Sequence, residues 1–168
     1  MMVRLVFTAS NTWMGRAIRW LSRGRVSHVF IQHASAVWGG EWSTEATWPM
    51  VLQRPAEKSR HHIFKEFFCE FNAPFALQKI RNEVGRWYAF EGLGIFGVWL
   101  LIWRVFHRKI RHPFHSSKGD FCSELVAKML RAATEVPDTW DLDPDYTTPE
   151  DVLVFCETHP KQFKEIPQ

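Results

Sequence analysis

Cys122 has the residue type and the position for nucleophilic chemistry. The pair Gly119-Asp120 breaks regular structure just before a segment with helical periodicity, whose apolar positions are Cys122, Leu125, Val126, Met129, Leu130 and Ala133. This spacing places the thiol in the first turn of a helix. There, free backbone N–H groups and the positive end of the helix dipole favour thiolate over thiol. The alternative is a small buried cysteine that only packs.

A thiolate that acts as a nucleophile needs a base, and His28 is the best candidate. It lies in a strand-like segment whose same-face neighbours are apolar, so a buried imidazole there needs a polar partner. Glu45 lies on the next predicted strand and faces the same way if the two strands form a hairpin. We therefore predict a triad of Cys122, His28 and Glu45 as nucleophile, base and orienting group. The alternative is a satisfied core histidine and a surface glutamate.

Periodicity supplies the elements that must position these three side chains. It predicts strands over residues 3–7, 27–33, 41–48, 50–54 and 61–71, and helices over 12–23, 72–84, 95–106, 122–133 and 149–158. The first helix has an apolar face and an adjacent basic stripe. Its apolar face carries Trp13, Ala17, Trp20 and Leu21, and its stripe Arg16, Arg19 and Arg23. We interpret the stripe as a solvated face, with contact to an anionic substrate or lipid as the alternative.

Composition limits the class of protein. A chain of 168 residues with 46% hydrophobic residues fits one globular domain, residues 1–168. The net charge of +3 is too small to indicate nucleic-acid binding. Three cysteines and no visible secretory signal favour a reduced, cytoplasmic protein, in which Cys69 and Cys156 pack. The histidines lack metal-ligand spacing, so we expect neither a metal nor a cofactor.

Two strings carry a family resemblance. Gly85-Arg86-Trp87-Tyr88-Ala89-Phe90-Glu91-Gly92 followed by Gly119-Asp120-Phe121-Cys122-Ser123-Glu124-Leu125-Val126 resembles the nucleophile half of NlpC-type papain-like hydrolases. Here the His and Glu strands precede the cysteine, which resembles the circularly permuted branch with the YiiX-type hydrolases and lecithin:retinol acyltransferase-like proteins. The late Thr148-Pro149-Glu150-Asp151 is similar to that branch's helix start after the cysteine helix.

The resemblance implies an α+β papain-like fold, with a small, mostly antiparallel sheet packed against the nucleophile helix. It assigns Cys122 as nucleophile, His28 as base and Glu45 as the third polar residue, and it places Tyr88 near the thiol. Phe121 stands where the unpermuted enzymes usually have Asp, and Ala89 stands where many relatives have Asp after the tyrosine. The function expected is a cysteine hydrolase, an amidase or peptidase, that needs no cofactor.

The substrate and partners stay open. One substrate is a peptide amide, as in bacterial cell-wall stem peptides; the other is an acyl amide or ester, with Leu93 and Phe96 lining its chain. The apolar run 93–103 is too short to span a membrane. It is interpreted as a core helix, with peripheral membrane contact through 92–111 as the alternative. Acyl transfer, or a non-catalytic groove that binds a host protein or lipid, are further alternatives, and the oligomeric state is unknown.

Overall fold

A computed structural model describes residues 3–34, 39–47, 49–59, 62–69, 74–88, 98, 101–102, 105, 119–133, 142–145 and 147–167. Over these ranges the chain is α+β. The strands are β1 (Val3–Thr8), β2 (His28–Ala34), β3 (Glu41–Thr47), β4 (Met50–Pro55), β5 (Ile63–Cys69), β6 (Trp87–Tyr88), β7 (Gly119–Asp120) and β8 (Phe163–Glu165). The helices are α1 (Trp13–Ser22), α2 (Pro74–Arg81), α3 (Cys122–Ala132) and α4 (Pro149–Thr158), with a short 3-10 helix at Ala56–Ser59.

The eight described strands form one sheet in the order β7-β6-β4-β3-β2-β1-β5-β8. All neighbours pair antiparallel except β6 and β7, which run parallel. Three consecutive strands, β2, β3 and β4, lie side by side at the centre. The mostly antiparallel α+β architecture predicted from the sequence is therefore confirmed.

The first residues of β2 do not pair with β3. Its ladder runs from Ala34↔Glu41 to Ile31↔Thr44, and no pair is formed nearer to His28. Continuing this register by one residue brings Glu45 beside Phe30, on the face that His28 shares through strand alternation. The start of β2 is therefore bonded to β1 alone, and its other edge is open to a helix.

Helix α3 occupies the layer beside this sheet. It packs against α2, α4, β2 and β3. Its apolar stripe, Leu125, Val126, Met129 and Leu130, is almost fully buried. From the sheet, Val29 and Ile31 join the same core. Burial of this stripe is what fixes the rotation of α3 and so the direction of its first turn.

Helix α1 is strongly amphipathic, but it does not bury its apolar side as an amphipathic helix ordinarily does. Trp13 is 78% exposed and Trp20 56% exposed, while the buried positions of α1 are Gly15 and Ser22. A β-carbon at Gly15 would lie 2.6 Å from the backbone oxygen of Ser10, in the turn before the helix, so this position requires glycine. The helix approaches the body of the protein through its small residues, and its tryptophans face outward.

The other differences between the predicted and observed elements concern three short strands and one apolar helix. Strands β6, β7 and β8 have two or three residues, too few to show alternation. Most of the predicted 95–106 helix lies outside the described residues, but 98, 101, 102 and 105 are helical. Val98, Leu101 and Val105 are exposed, so the core-helix interpretation is wrong at these positions. Within the described ranges, no helix has the length and apolarity needed to cross a bilayer.

The close contact at Gly15 predicts how a substitution there changes the free energy of unfolding. Gly15→Ala should lower the free energy of unfolding by about 1–3 kcal/mol, because the added methyl group must displace backbone. Helix propensity alone predicts the opposite sign, a gain of about 1 kcal/mol. Urea denaturation gives the value. Ala17→Gly in the same helix is the control and should cost about 1 kcal/mol by propensity alone; a Gly15→Ala protein more stable than wild type would contradict the packing described.

Candidate functional site

The first turn of α3 places Cys122. Phe121 precedes the helix in an extended conformation, and its carbonyl accepts the first helical hydrogen bond from Leu125 N–H at 2.9 Å. The hydroxyl of Ser123 donates to the carbonyl oxygen of Thr147 at 2.7 Å, which ties the turn to the segment before α4. Because the N–H groups of a first helical turn have no partner within the helix, they remain free to face the sulfur.

Cys122 and His28 are brought together across 94 residues of sequence. The thiol and the imidazole interact electrostatically, and the backbone N–H groups of Val29 and Ser123 also interact with the sulfur. Cys122 is 6% exposed, whereas the His28 side chain is 24% exposed. The open edge at the start of β2 is therefore filled by the thiol of α3. The site is sheltered on the sulfur side and reachable from the imidazole side.

The pKa values of the two groups move in opposite directions. Burial by itself raises the pKa of the Cys122 thiol, but the nearby charge of His28, with the two backbone N–H groups, brings this pKa below its ordinary value. Burial by itself lowers the pKa of His28, but Cys122 and then Glu45 outweigh burial and raise it to about 10. These opposite shifts favour the thiolate and imidazolium forms of the pair.

Glu45 is the third member of the cluster. Its Oε2 lies 3.6 Å from His28 Nε2, an ion pair longer than a hydrogen bond. Its Oε1 accepts from Arg54 Nε at 2.5 Å and from Ser59 Oγ at 2.8 Å. Burial by itself raises the pKa of Glu45, but His28, Ser59 and Arg54 outweigh it and lower the pKa to about 2. The carboxylate is therefore charged at any physiological pH.

Sequence reasoning missed the residues that hold Glu45. Arg54 lies on β4, directly opposite Ser43 of β3, so it shares a face with Glu45 two residues along. Ser59 comes from the 3-10 helix that follows β4. The signal was available in part, because a tight turn between two strands would have placed Arg54 on the carboxylate face. The helical turn at Ser59 lies in a stretch predicted as a loop.

The two other cysteines differ from Cys122 in chemistry and not in exposure. Cys69 is 7% exposed and Cys156 is fully buried. Burial raises the pKa of both thiols, and among the described residues no cationic side chain lowers the pKa of either thiol. Both belong to the apolar core, as the sequence predicts.

The predicted substrate-binding residues are placed only in part. The backbone of Tyr88 pairs in register with Asp120, two residues before Cys122, so β6 and β7 bring this strand to the start of α3. The orientation of the Tyr88 side chain is not among the described features. Leu93 and Phe96 lie outside the described residues.

A metal centre has no support in the part of the chain that the structure describes. No group of three or more His, Cys, Asp or Glu side chains there is arranged to hold an ion. His33, the other described histidine in the central strands, contacts the hydroxyl of Thr44 at 3.2 Å and the amide of Gln53 at 3.1 Å. Burial lowers its pKa, so it is a neutral, hydrogen-bonded part of the sheet.

Comparisons with known proteins give a fold likeness. No family model and no curated protein matches this sequence. The fold is similar to the crystal structure titled metalloprotein yiiX from Escherichia coli O157:H7, DUF1105, with a TM-score of 0.52 and 16% identity over 100% of this chain and 97% of that one. The likeness concerns the fold alone. The metal in that title finds no fitting ligand cluster among the residues described here.

The site predicts selective thiol reactivity. Near neutral pH, iodoacetamide should alkylate Cys122 faster than Cys69 or Cys156, because only Cys122 has a lowered pKa and thiolate is the reactive form. Cys69 is the matched control, since its exposure is nearly the same. Peptide mapping by mass spectrometry gives the three rates.

Substitution of the base gives the second half of this test. In His28→Gln the onset of Cys122 alkylation should move to higher pH, because the interaction that lowers its pKa is gone. Equal labelling of all three cysteines in the wild type, or an unchanged pH profile in His28→Gln, would show that the thiol is not activated.

Proposed function

We propose that this chain is a thiol-dependent hydrolase of acyl amides or esters, with a permuted NlpC-type papain-like fold. The observation that supports this most is the electrostatic coupling of Cys122 and His28, whose pKa values move in opposite directions and favour thiolate and imidazolium. Strongly perturbed pKa values with a specific charge partner mark functional sites more often than structural ones. The likeness to the yiiX structure is compatible with the fold assignment.

The reaction follows from the arrangement of the pair. The sulfur of Cys122 forms a bond to the carbonyl carbon, and the carbonyl π electrons move onto oxygen. When the tetrahedral intermediate collapses, the bond to the leaving nitrogen or oxygen breaks and the His28 imidazolium gives it a proton. The product is a thioester on Cys122. Water, deprotonated by His28, then attacks the thioester and releases the acid and the thiolate.

A backbone N–H at the start of α3 is the proposed oxyanion donor. Cys122 lies at the first position of α3, where its own N–H has no helical partner. We propose this N–H as one oxyanion donor, because a preorganised donor at a helix start stabilises developing negative charge. The N–H groups of Val29 and Ser123 hold the sulfur and limit where the thiolate can move.

Glu45 orients the base. With Nε2 of His28 facing the Glu45 carboxylate, Nδ1 remains available to the sulfur. Arg54 and Ser59 fix Oε1, so the carboxylate presents Oε2 to the imidazole in one orientation. In this proposal Glu45 acts through His28 and does not touch the substrate.

The proposed substrate class is an acyl amide or ester, and the narrower proposal is that its acyl chain is apolar. Any acyl amide or ester fits the chemistry, and the fate of the thioester decides between hydrolysis and transfer to an amine or alcohol. An apolar acyl chain is favoured over a short peptide by the exposed apolar row Val98, Leu101 and Val105, within the stretch proposed for peripheral membrane contact. No nucleic-acid partner and no cofactor enter the proposal.

A non-catalytic binding protein is the second candidate. The observation that favours it is the 6% exposure of Cys122, since a substrate carbonyl must reach a sheltered sulfur. In a binding protein Cys122 and His28 would be a structural ion pair. Formation of a thioester separates the two candidates, because only an enzyme transfers the acyl group to Cys122.

The test uses p-nitrophenyl esters of increasing acyl length together with short peptide anilides. Cys122→Ala should reduce turnover to the uncatalysed rate, while Cys156→Ala, the control, should leave it unchanged. His28→Ala should lose about 100- to 10,000-fold, the usual contribution of a general acid–base. Glu45→Gln should lose less than His28→Ala, because an orienting group contributes less than the base it orients.

Intact-mass spectrometry should detect the acyl adduct on wild type and not on Cys122→Ala. A rise of kcat/KM with chain length would assign acyl substrates, and cleavage of anilides alone would assign a peptidase. Turnover that survives Cys122→Ala would contradict the proposed mechanism. Absence of any adduct with every ester and anilide would favour the binding protein.

A further inference from the structure

Helix α1 presents its apolar side to solvent. Gly15 and Ser22 face the body of the protein and are buried. With about 100° between successive helical residues, the opposite side carries Trp13, Ala17 and Trp20. The exposed fractions of the two tryptophans are 78% and 56%. Met14, 38% exposed, extends the same surface at the first turn.

This surface has the composition of a membrane-interface element. Tryptophan concentrates at the boundary between headgroups and acyl chains, because its ring is apolar and its indole N–H is polar. A helix that lies in that boundary combines such side chains with a flanking row of basic residues. On α1 the flanking row begins with Arg16 and Arg19, one turn apart.

The positive charge of this part of the chain indicates that the membrane it would bind is anionic. The first 40 residues contain five arginines and no Asp or Glu, and the first acidic residue is Glu41. Among the described residues, Arg4 pairs with Glu41, and Arg25 pairs with Glu150 and Glu157. On α1 itself the described side-chain contact of Arg16 is with the backbone carbonyl of Asn11, which leaves its charge uncompensated. Such a surface attracts anionic headgroups.

We propose that α1 docks the protein on an anionic lipid bilayer, with its axis in the plane of the interface. Trp13 and Trp20 insert at the headgroup boundary, and Arg16 and Arg19 contact lipid phosphates. The surface does not depend on the proposed hydrolase activity, because none of these residues belongs to the Cys122 site. A protein partner or a second copy of the chain would need the same tryptophans, and the test below separates these occupants.

Helix α1 begins close to the strand end that carries His28, which affects where a docked bilayer would lie. Thr8 at the end of β1 pairs with His28, and the backbone N–H of Ser10 donates to Ser27 Oγ at 3.0 Å. Thr12 then caps α1 by accepting from Gly15 N–H at 3.1 Å. The helix therefore starts within a few residues of the strand end that carries His28. Docking through α1 therefore brings the bilayer to the end of β2 that carries His28.

The test is sedimentation of the full chain with phosphatidylcholine vesicles, with and without phosphatidylglycerol. Wild type should bind only the anionic vesicles and lose binding at high salt. The double substitution Trp13→Ser/Trp20→Ser should abolish binding. Arg16→Glu/Arg19→Glu should weaken it at least about tenfold, since each arginine near an anionic surface contributes roughly fivefold.

Matched controls remove the trivial explanations. Trp87→Ser removes another exposed tryptophan, 67% exposed, from β6 and should bind as wild type does. Arg81→Glu/Lys161→Glu makes the same change in net charge at exposed positions elsewhere and should also keep binding. Thermal melts of all variants show whether each is folded.

Three results would overturn the proposal. The first is a wild type that does not sediment with anionic vesicles, and the second is equal loss of binding in the variants and their controls. The third is a wild type that is dimeric by analytical ultracentrifugation and monomeric in Trp13→Ser/Trp20→Ser, which would assign the face to self-association. Vesicle binding is measured without substrate, so its failure leaves the hydrolase proposal intact, and the reverse also holds.

Discussion

A charge pair in a sheltered position, Cys122 with His28, is the interaction on which the rest of the site depends. Burial disfavours both charges, so each can persist only with compensating groups around it. The compensation is built from three elements: the first turn of α3, the unpaired start of β2, and the carboxylate of Glu45 on β3. Removing any one of them leaves a charge that burial will neutralise.

The scaffold meets this demand through the central strands. Because β2 pairs with β3 only from Ile31 onward, the sheet leaves a gap at His28, and α3 fills it with the sulfur. Arg54 on β4 completes the charge sequence of thiolate, imidazolium, carboxylate and guanidinium, in which each group is followed by one of opposite sign. Alternation of sign is what allows four ionised groups to share one partly buried region.

Local patterns predicted the parts of the site that depend on local structure. The helix start at Cys122 follows from a break and a helical stripe, and the shared face of His28 and Glu45 follows from strand alternation. Arg54 could be placed on the face of Glu45 only by assuming a tight β3–β4 turn, and Ser59 could not be assigned, because its contact with Glu45 depends on a 3-10 turn. The orientation of α1 could not be predicted from its pattern either, since the helix buries Gly15 and Ser22 and leaves its tryptophans exposed.

The most direct test of the charge pair is the protonation state of the His28 ring, followed by ¹⁵N chemical shifts of the imidazole as pH is raised. In the wild type both ring nitrogens should stay protonated through neutral pH and titrate near pH 10, because the Cys122 thiolate and Glu45 stabilise the cation. In Cys122→Ser the titration should move down, since the anionic partner is gone while burial remains. A His28 that titrates near its ordinary value of 6.5 in both proteins would contradict the ion pair and the mechanism built on it.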